Sequence, residues 1–280
     1  MLMSDQANRY AHQLLEVRAA GQQIPPLSSQ APLSIADAYD IAKNILDIRI
    51  AEGEVPVGRK IGFTNSAAWE RMSKRELVDA PMWATVFDTT VRYAHDNLGY
   101  QSLSGAMRPR LEPEVVFKLR RTPAPDAGLR EIADAIEWMA HGFEVVVSPF
   151  DNLEFEAADA IAAFGMHGVL IVGEPQMLSA ALRPRLSNML AGASVSLSCG
   201  RGECFTLRGA GFGSEVLGNP VHALLRLHQL LQTQPQFAPL TAGEIITTGT
   251  WTEAYPIEAG QTWSSAFSGI NLPGLTISFV

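Results

Sequence analysis

The chain has 280 residues, 47% hydrophobic and 18% charged, with a formal net charge of -8. That apolar fraction excludes a disordered chain, and no apolar run approaches the ~20 residues of a membrane span. The acidic balance, without a basic cluster, speaks against nucleic-acid binding, where lysine and arginine must neutralise phosphates, and leaves small molecules as the expected partners.

The length suits one large domain or two modest ones at ~150 residues each. The opening Met1-Leu2-Met3-Ser4-Asp5-Gln6 lacks the basic start and apolar core of a secretory signal, so the expected compartment is cytoplasmic. Tyr10, Leu14, Leu15 and Val17 recur at helical spacing, and Gly21 with the Pro25-Pro26 break ends the pattern, which predicts an amphipathic helix over 4–20. Ser34 and Asp37 form a capping box for a second helix, with Ala38, Ile41, Ile45, Ile48 and Ile50 as its apolar stripe up to Gly53. The two helices are expected to pair. A short strand follows over 57–65, with Gly58 and Gly62 on either side of Arg59-Lys60. Small residues beside a cation let a ligand approach the backbone. Residues 66–75 read as helix, 79–81 as a turn, 82–91 as one strand and 96–105 as a polar connection. The change from helical to strand-rich pattern puts a boundary near residue 80, between a helical N-terminal region over 1–80 and a strand-rich region over 81–280.

Glu112-Pro113-Glu114 precedes Val115-Val116-Phe117-Lys118-Leu119, so the segment reads as a strand entered through a proline-stiffened edge. Residues i and i+2 of a strand share a face, and two carboxylates side by side repel unless something positive neutralises them. Hard oxygen ligands suit an ion of the magnesium or manganese kind. The competing reading is the solvated face of an edge strand. After a loop over 126–128 and a helix predicted over 129–140, a strand over 142–147 carries a single carboxylate, Glu144, in an apolar run. A buried glutamate is costly unless paired, hydrogen-bonded or metal-bound. The strand, helix, strand succession makes Glu144 a third candidate ligand beside Glu112 and Glu114. Further on, helices are predicted over 157–163 and 220–232, a hairpin over 194–207, and strands over 169–172, 244–250, 263–267 and 274–280. Cys199 and Cys204 flank Gly200-Arg201-Gly202 without zinc-site spacing and read as reduced hairpin residues.

Gly58-Arg59-Lys60-Ile61-Gly62-Phe63-Thr64, Leu111-Glu112-Pro113-Glu114, Phe143-Glu144-Val145-Val146, Val216-Leu217-Gly218-Asn219-Pro220 and Thr248-Gly249-Thr250 occur in one order. With them the chain resembles the 2-keto-4-pentenoate hydratase/4-oxalocrotonate decarboxylase family of the fumarylacetoacetate hydrolase superfamily, from the Ala38-Tyr39 helix to the last strand. The resemblance implies an α+β fold: a helical N-terminal region on a mixed β-roll, the latter being the catalytic domain over 81–280. It implies magnesium or manganese held by Glu112, Glu114 and Glu144, Lys60 as the proton-handling residue and Asp79 as a helper. Implied too are short 2-oxo or 2-hydroxydienoate acids from aromatic ring cleavage as substrates, and assembly as a homo-oligomer or with a related decarboxylase or hydratase. A lysine near a metal and partly desolvated is expected to have its pKa pulled toward neutrality.

The chain also departs from its relatives. Val147-Ser148-Pro149 stands where they carry Asp-Ser-Arg, and Ala163-Phe164-Gly165-Met166-His167 where they carry Asp-Asn-Ala-Ser. Thr64, Arg110, Phe164, Met166 and His167 are therefore the expected substrate contacts, with Val147 and Pro149 adding to an apolar tail pocket and Arg108 or Arg110 able to replace the absent arginine. His167 reads either as a structural loop histidine or as a proton carrier. Hydration of a 2-hydroxy-2,4-dienoate is the leading reaction; decarboxylation of a 2-oxo diacid, acylpyruvate hydrolysis and a non-catalytic partner subunit are the alternatives.

Overall fold

A computed structural model describes residues 3–65, 81–152, 154–202 and 204–280. Helix α1 (Ser4–Ala20) ends on Gly21, whose φ of 61° is the left-handed turn that a glycine makes without a Cβ penalty. Helix α2 (Ile35–Ala51) begins on the predicted capping box, with Ser34 Oγ accepting from Asp37 N and the Asp37 carboxylate accepting from Ser34 N. The two pack together, burying Ala7, Ala11 and Leu14 against Ala38, Ile41 and Ile45. Ile50, expected on the same stripe, is 47% exposed; nine residues past Ile41, it has turned to the opposite side of the helix.

The first sheet runs in the order β2 (Met82–Phe87), β1 (Pro56–Gly62), β11 (Ile245–Thr247), β5 (Arg110–Leu119), β6 (Ile136–Val146), β7 (His167–Val172) and β3 (Val91–Tyr93). Two short strands add to it, β12 (Tyr255–Pro256) on β5 and β8 (Gln176–Met177) on β6. Its two end strands, β2 and β3, are separated in sequence only by the 3-10 turn Asp88–Thr90. That turn brings the ends of the sheet together and closes it into a roll. The second sheet runs β10 (Cys204–Phe212), β9 (Ser194–Arg201), β13 (Thr262–Ser268), β14 (Thr276–Phe279) and β4 (Leu98–Gln101).

Alternation along β5 and β6 sorts the roll into an inside and an outside. Leu111, Phe143, Val145 and Ile171 face outward onto Leu197, Trp263, Ile277 and Phe279 of the second sheet. Val115, Phe117 and Met139 face outward into the helical core. The opposite face carries Val116, Trp138, Ala140, Leu170, Val172 and Ile245, which plug one end of the roll, and at the other end Glu112, Glu114 and Glu144.

Several expectations are corrected. The strand predicted over 82–91 is broken by the closing turn, and the connection over 96–105 contains β4. Helix α3 (Leu129–Ala135) stops short of residue 140, because Ile136 to Ala140 extend β6 in register with β5, with Met139 opposite Phe117 and Trp138 opposite Lys118. Helical and strand periodicities coincide at the apolar positions here, and pairing decides between them. β5 is no edge strand, since β11 and β6 flank it. β1 lies inside the first sheet although it precedes residue 80. Helix α4 (Ala157–Ala162) is as expected, α5 (Leu186–Ala191) was not foreseen, and α6 (Pro220–Gln232) has the predicted bounds, with Asn219 Oδ1 capping His222 N at 3.0 Å. Both cysteines are free thiols, each facing another residue across the hairpin. No helix among the described residues is long and apolar enough to cross a membrane.

One buried histidine ties the two sheets together. His141 Nδ1 lies 2.9 Å from the Glu114 carbonyl on β5, and its Nε2 lies 2.8 Å from Ser265 Oγ on β13, which in turn accepts from Leu275 N at 3.0 Å. The carbonyl requires Nδ1–H, and the Ser265 hydroxyl has both Nε2 and Leu275 O, at 3.3 Å, within reach. Burial outweighs the bond to Glu114 and holds the His141 pKa down at about 4. A folded pKa below the unfolded one means that the unfolded chain takes up the proton first, so stability is lost as pH falls from about 6.5 through 4. We predict an acid-side loss approaching ~3 kcal/mol relative to His141→Gln, at about 1.4 kcal/mol per pKa unit. Denaturant unfolding of both proteins between pH 7 and 4 measures it; parallel pH curves would contradict it.

Candidate metal and substrate site

The three candidate ligands converge because of strand register. Glu112 is the direct cross-strand partner of Glu144 in the antiparallel β5–β6 ladder, and Glu114 stands two residues further along the same face, opposite Gly142. One carboxylate oxygen from each lies within 4.8 Å of the others. Glu114 and Glu144 are 0% exposed, and Glu112 is partly buried at the inner end of a cavity of about 110 Å³. The solvated-edge reading of the pair is therefore overturned.

Lys60 enters the same space from β1, 2% exposed. Its ammonium donates to Gly165 O at 2.9 Å and lies 3.3 Å from Glu144 Oε2 as an ion pair. Burial lowers its pKa, but Glu144, Glu112 and Glu114 outweigh burial and hold it above the ordinary lysine value. The expected depression toward neutrality is thus not seen against three uncompensated carboxylates; a cation among them would remove that counterweight and leave burial dominant.

Among the described residues the charges beside the cluster do not balance, although Arg110 also pulls on Glu112. Burial, then Glu144 and Glu112, push the Glu114 carboxyl well up; burial likewise raises Glu112 to about 7 against the pull of Lys60. Burial also opposes ionisation of Glu144, but Lys60 and a hydrogen bond from His167 overcome it and keep its pKa below the ordinary value. One ammonium serves three carboxylates. Each fully buried carboxylate, moreover, has one oxygen bound to protein and one without a hydrogen bond. Glu114 Oε2 accepts from Thr247 Oγ1 and from Gly249 N at 2.6 Å, leaving Oε1 bare; Glu144 Oε1 is 2.8 Å from His167 Nδ1, leaving Oε2 bare. Bare buried carboxylate oxygens clustered under an excess of negative charge fit a hard divalent cation held by Glu112, Glu114 and Glu144.

The cavity above this cluster is lined by Phe63, Thr64, Met82, Arg108, Arg110, Val147, Phe155 and Met166 among others. Thr64 Oγ1 is buried without a hydrogen-bond partner, pressed against Gly249, where a Cβ would come within 1.8 Å of it. Arg110 donates to Ala254 O at 2.7 Å and Arg108 to Asp151 O at 2.9 Å. Phe63, Arg108 and Met166 hold positive φ values of 57°, 49° and 61°, a strained conformation that collects at functional sites.

Of the expected substrate contacts, Thr64, Arg110 and Met166 line the cavity, and two do not. Phe164 turns away: its ring lies 4.7 Å under the Arg18 guanidinium and borders a separate small cavity with Tyr39, Trp83 and Phe87. His167, 1% exposed, sits behind Glu144 with Nε2 2.9 Å from Thr90 Oγ1, and burial lowers its pKa in spite of Glu144. Pro149 is likewise absent from the lining. Asp79 lies outside the described residues. Sequence reasoning missed the support residues Thr247 and Gly249, although Gly249 belongs to the quoted Thr248-Gly249-Thr250 motif. It also missed Thr90, which has no local signal.

No family model matches the chain. Among curated proteins, 2-hydroxyhexa-2,4-dienoate hydratase of Comamonas testosteroni is 27% identical over 260 residues, 92% of this chain and 92% of that one. A 4-oxalocrotonate decarboxylase of Pseudomonas sp. is 26% identical over 253 residues, covering 90% and 91%. The solved structure of 4-oxalocrotonate decarboxylase from Pseudomonas putida G7, complexed with magnesium and adipate, matches with a TM-score of 0.85 at 24% identity, covering 100% of this chain and 99% of that one. The fold is thus that of the fumarylacetoacetate hydrolase superfamily, and the resemblance to the hydratase/decarboxylase family extends over nearly the whole chain.

Glu112→Gln or Glu114→Gln keeps the side-chain shape while removing charge from the cluster. Magnesium or manganese affinity should fall by more than the ~10–100-fold typical of losing an outer-shell partner. Titration calorimetry reads this directly, and wild-type affinity in both variants would rule these glutamates out as ligands.

Proposed function

We propose that the protein is a divalent-metal-dependent hydratase of 2-hydroxy-2,4-dienoates, a hydro-lyase, with Glu112, Glu114 and Glu144 holding the ion. The observation that carries this reading is Lys60: a buried ammonium beside the three carboxylates, on the wall of a cavity otherwise rich in apolar side chains. A bound cation supplies Lewis-acid polarisation of a 2-oxo acid and stabilises its enolate.

The residues of the chain do the rest. Ketonisation puts a proton on the far carbon of the diene and takes one from the 2-hydroxyl, a net change of zero, so one lysine can give the first as ammonium and receive the second as amine. Addition of water to the remaining conjugated double bond then places a hydroxyl at its far carbon and a proton beside the carbonyl. Thr64 Oγ1, with no hydrogen-bond partner among the described residues, and Arg110 offer donors to the substrate's oxygens. Val147, Phe155, Met82 and Met166 keep bulk water from the reacting carbons. Magnesium or manganese is the ion, and the substrate derives from aromatic ring cleavage.

A second reading has its own observation. Arg108 and Arg110 both line the cavity, and an arginine pair can neutralise a second carboxylate, which suits decarboxylation of a 2-oxo diacid. Comparing turnover of mono- and dicarboxylic dienoates of equal length decides between them. The apolar lining predicts that the monoacid is hydrated with the higher kcat/KM; a clear preference for the diacid, with release of carbon dioxide, would favour the second reading. In either case Lys60→Met should lower turnover by ~10²–10⁴-fold while leaving metal affinity in place. Unchanged turnover would remove Lys60 from the mechanism.

A further inference from the structure

His167 stands outside the cavity, yet it holds Glu144 Oε1, the oxygen opposite the one that faces Lys60. An ionised carboxylate only accepts, so the His167 Nδ1 facing Glu144 Oε1 at 2.8 Å must carry the proton and donate it. A neutral ring then presents Nε2 as an acceptor 2.9 Å from Thr90 Oγ1, whose hydroxyl also has the Phe87 carbonyl within reach at 3.1 Å, while Oγ1 accepts from Phe87 N at 3.3 Å. The Phe87 backbone, Thr90 Oγ1 and the His167 ring thus form a hydrogen-bonded line ending on one oxygen of Glu144. Thr90 is the last residue of the turn that closes the roll, so the line ties the closure to the cluster. The ring's own position is pinned from behind. Arg18, reaching across from α1, donates to His167 O at 2.5 Å and to Gly168 O at 3.2 Å, and caps Phe164 in a turn whose three residues, Phe164, Gly165 and Met166, all have left-handed φ.

We propose that His167, keyed by Thr90, is a positioning residue of the metal centre: by holding Glu144 Oε1 it leaves Oε2 turned toward Lys60 and the other two carboxylates, and so sets the cluster's affinity for a divalent cation. The inference rests on the assignment of the glutamates as ligands. Outer-shell partners that orient a ligating carboxylate commonly account for ~10–100-fold in affinity.

The test is titration of magnesium and manganese into the full chain by calorimetry, with folding monitored by circular dichroism. His167→Leu and Thr90→Val should each weaken binding, the first by ~10–100-fold. His167→Asn, whose amide nitrogen occupies a place close to that of Nδ1, and Thr90→Ser, which restores the hydroxyl, should recover most of the affinity. A merely structural role would not produce that recovery. If His167→Leu does not fold, the Thr90→Val and Thr90→Ser pair carries the comparison. Nitrogen-15 spectra of the wild-type imidazole give a separate readout: they should show His167 protonated at Nδ1 and not at Nε2. Unchanged affinity in His167→Leu and Thr90→Val, or the opposite tautomer, would overturn the role of His167 while leaving the glutamates as ligands. Failure of the wild type to bind either ion would overturn the ligand assignment and this inference together.

Discussion

Everything in the site follows from an imbalance of charge in a largely buried place. Three carboxylates face the inside of a closed β-roll, and among the described residues a single ammonium faces them. Taking an ion out of water costs several kcal/mol even after relaxation, and a partner recovers that cost only when geometry and hydrogen bonding are good. Lys60 can meet that condition for one carboxylate. The chain must therefore either keep protons on the others, as the raised pKa values of Glu112 and Glu114 describe, or bind a cation that makes protonation unnecessary.

The scaffold is arranged so that this tension cannot relax by moving the side chains apart. Register fixes Glu112 against Glu144, and the apolar plug of Val116, Leu170 and Ile245 closes the interior behind them. Two histidines act from outside the cavity on the two strands that carry the ligands. His141 holds the backbone of Glu114 against the second sheet, and His167 holds the side chain of Glu144 against the closing turn of the roll. In each, the acceptor on the ligand-bearing strand, the Glu114 carbonyl or the Glu144 carboxylate, puts a proton on Nδ1, and a hydroxyl, Ser265 or Thr90, stands at Nε2. The same rigidity gives the cavity its unusual rim, where Phe63, Arg108 and Met166 are kept in left-handed backbone that no free peptide would favour.

How much of this was legible depended on the range of the interactions. The capping box at Ser34, the helix opened by Asn219-Pro220 and the shared face of Glu112 and Glu114 are local patterns, and the structure reproduces them. Glu144 was legible as an anomaly, a lone charge in an apolar strand, and the pairing that brings it beside Glu112 is the direct antiparallel ladder of β5 with β6. What stayed hidden is non-local or steric. Nothing near Thr90 announces a bond to a histidine 77 residues away, nor anything near Arg18 its reach to Gly168. The left-handed turn at Phe164 and Met166 uses residues that ordinarily avoid that conformation, so a reading of side-chain polarity put Phe164 in the substrate cavity when the turn points it away.

The central claim is that the imbalance is resolved by a cation. Crystals of the protein grown with manganese, with anomalous scattering recorded from them, test it most directly. The account predicts a single strong peak among Glu112, Glu114 and Glu144, in contact with Glu114 Oε1 and Glu144 Oε2, the two oxygens that the protein leaves without hydrogen bonds. A structure at millimolar manganese with no peak there, or with the ion bound elsewhere and the three carboxylates still packed together, would contradict it.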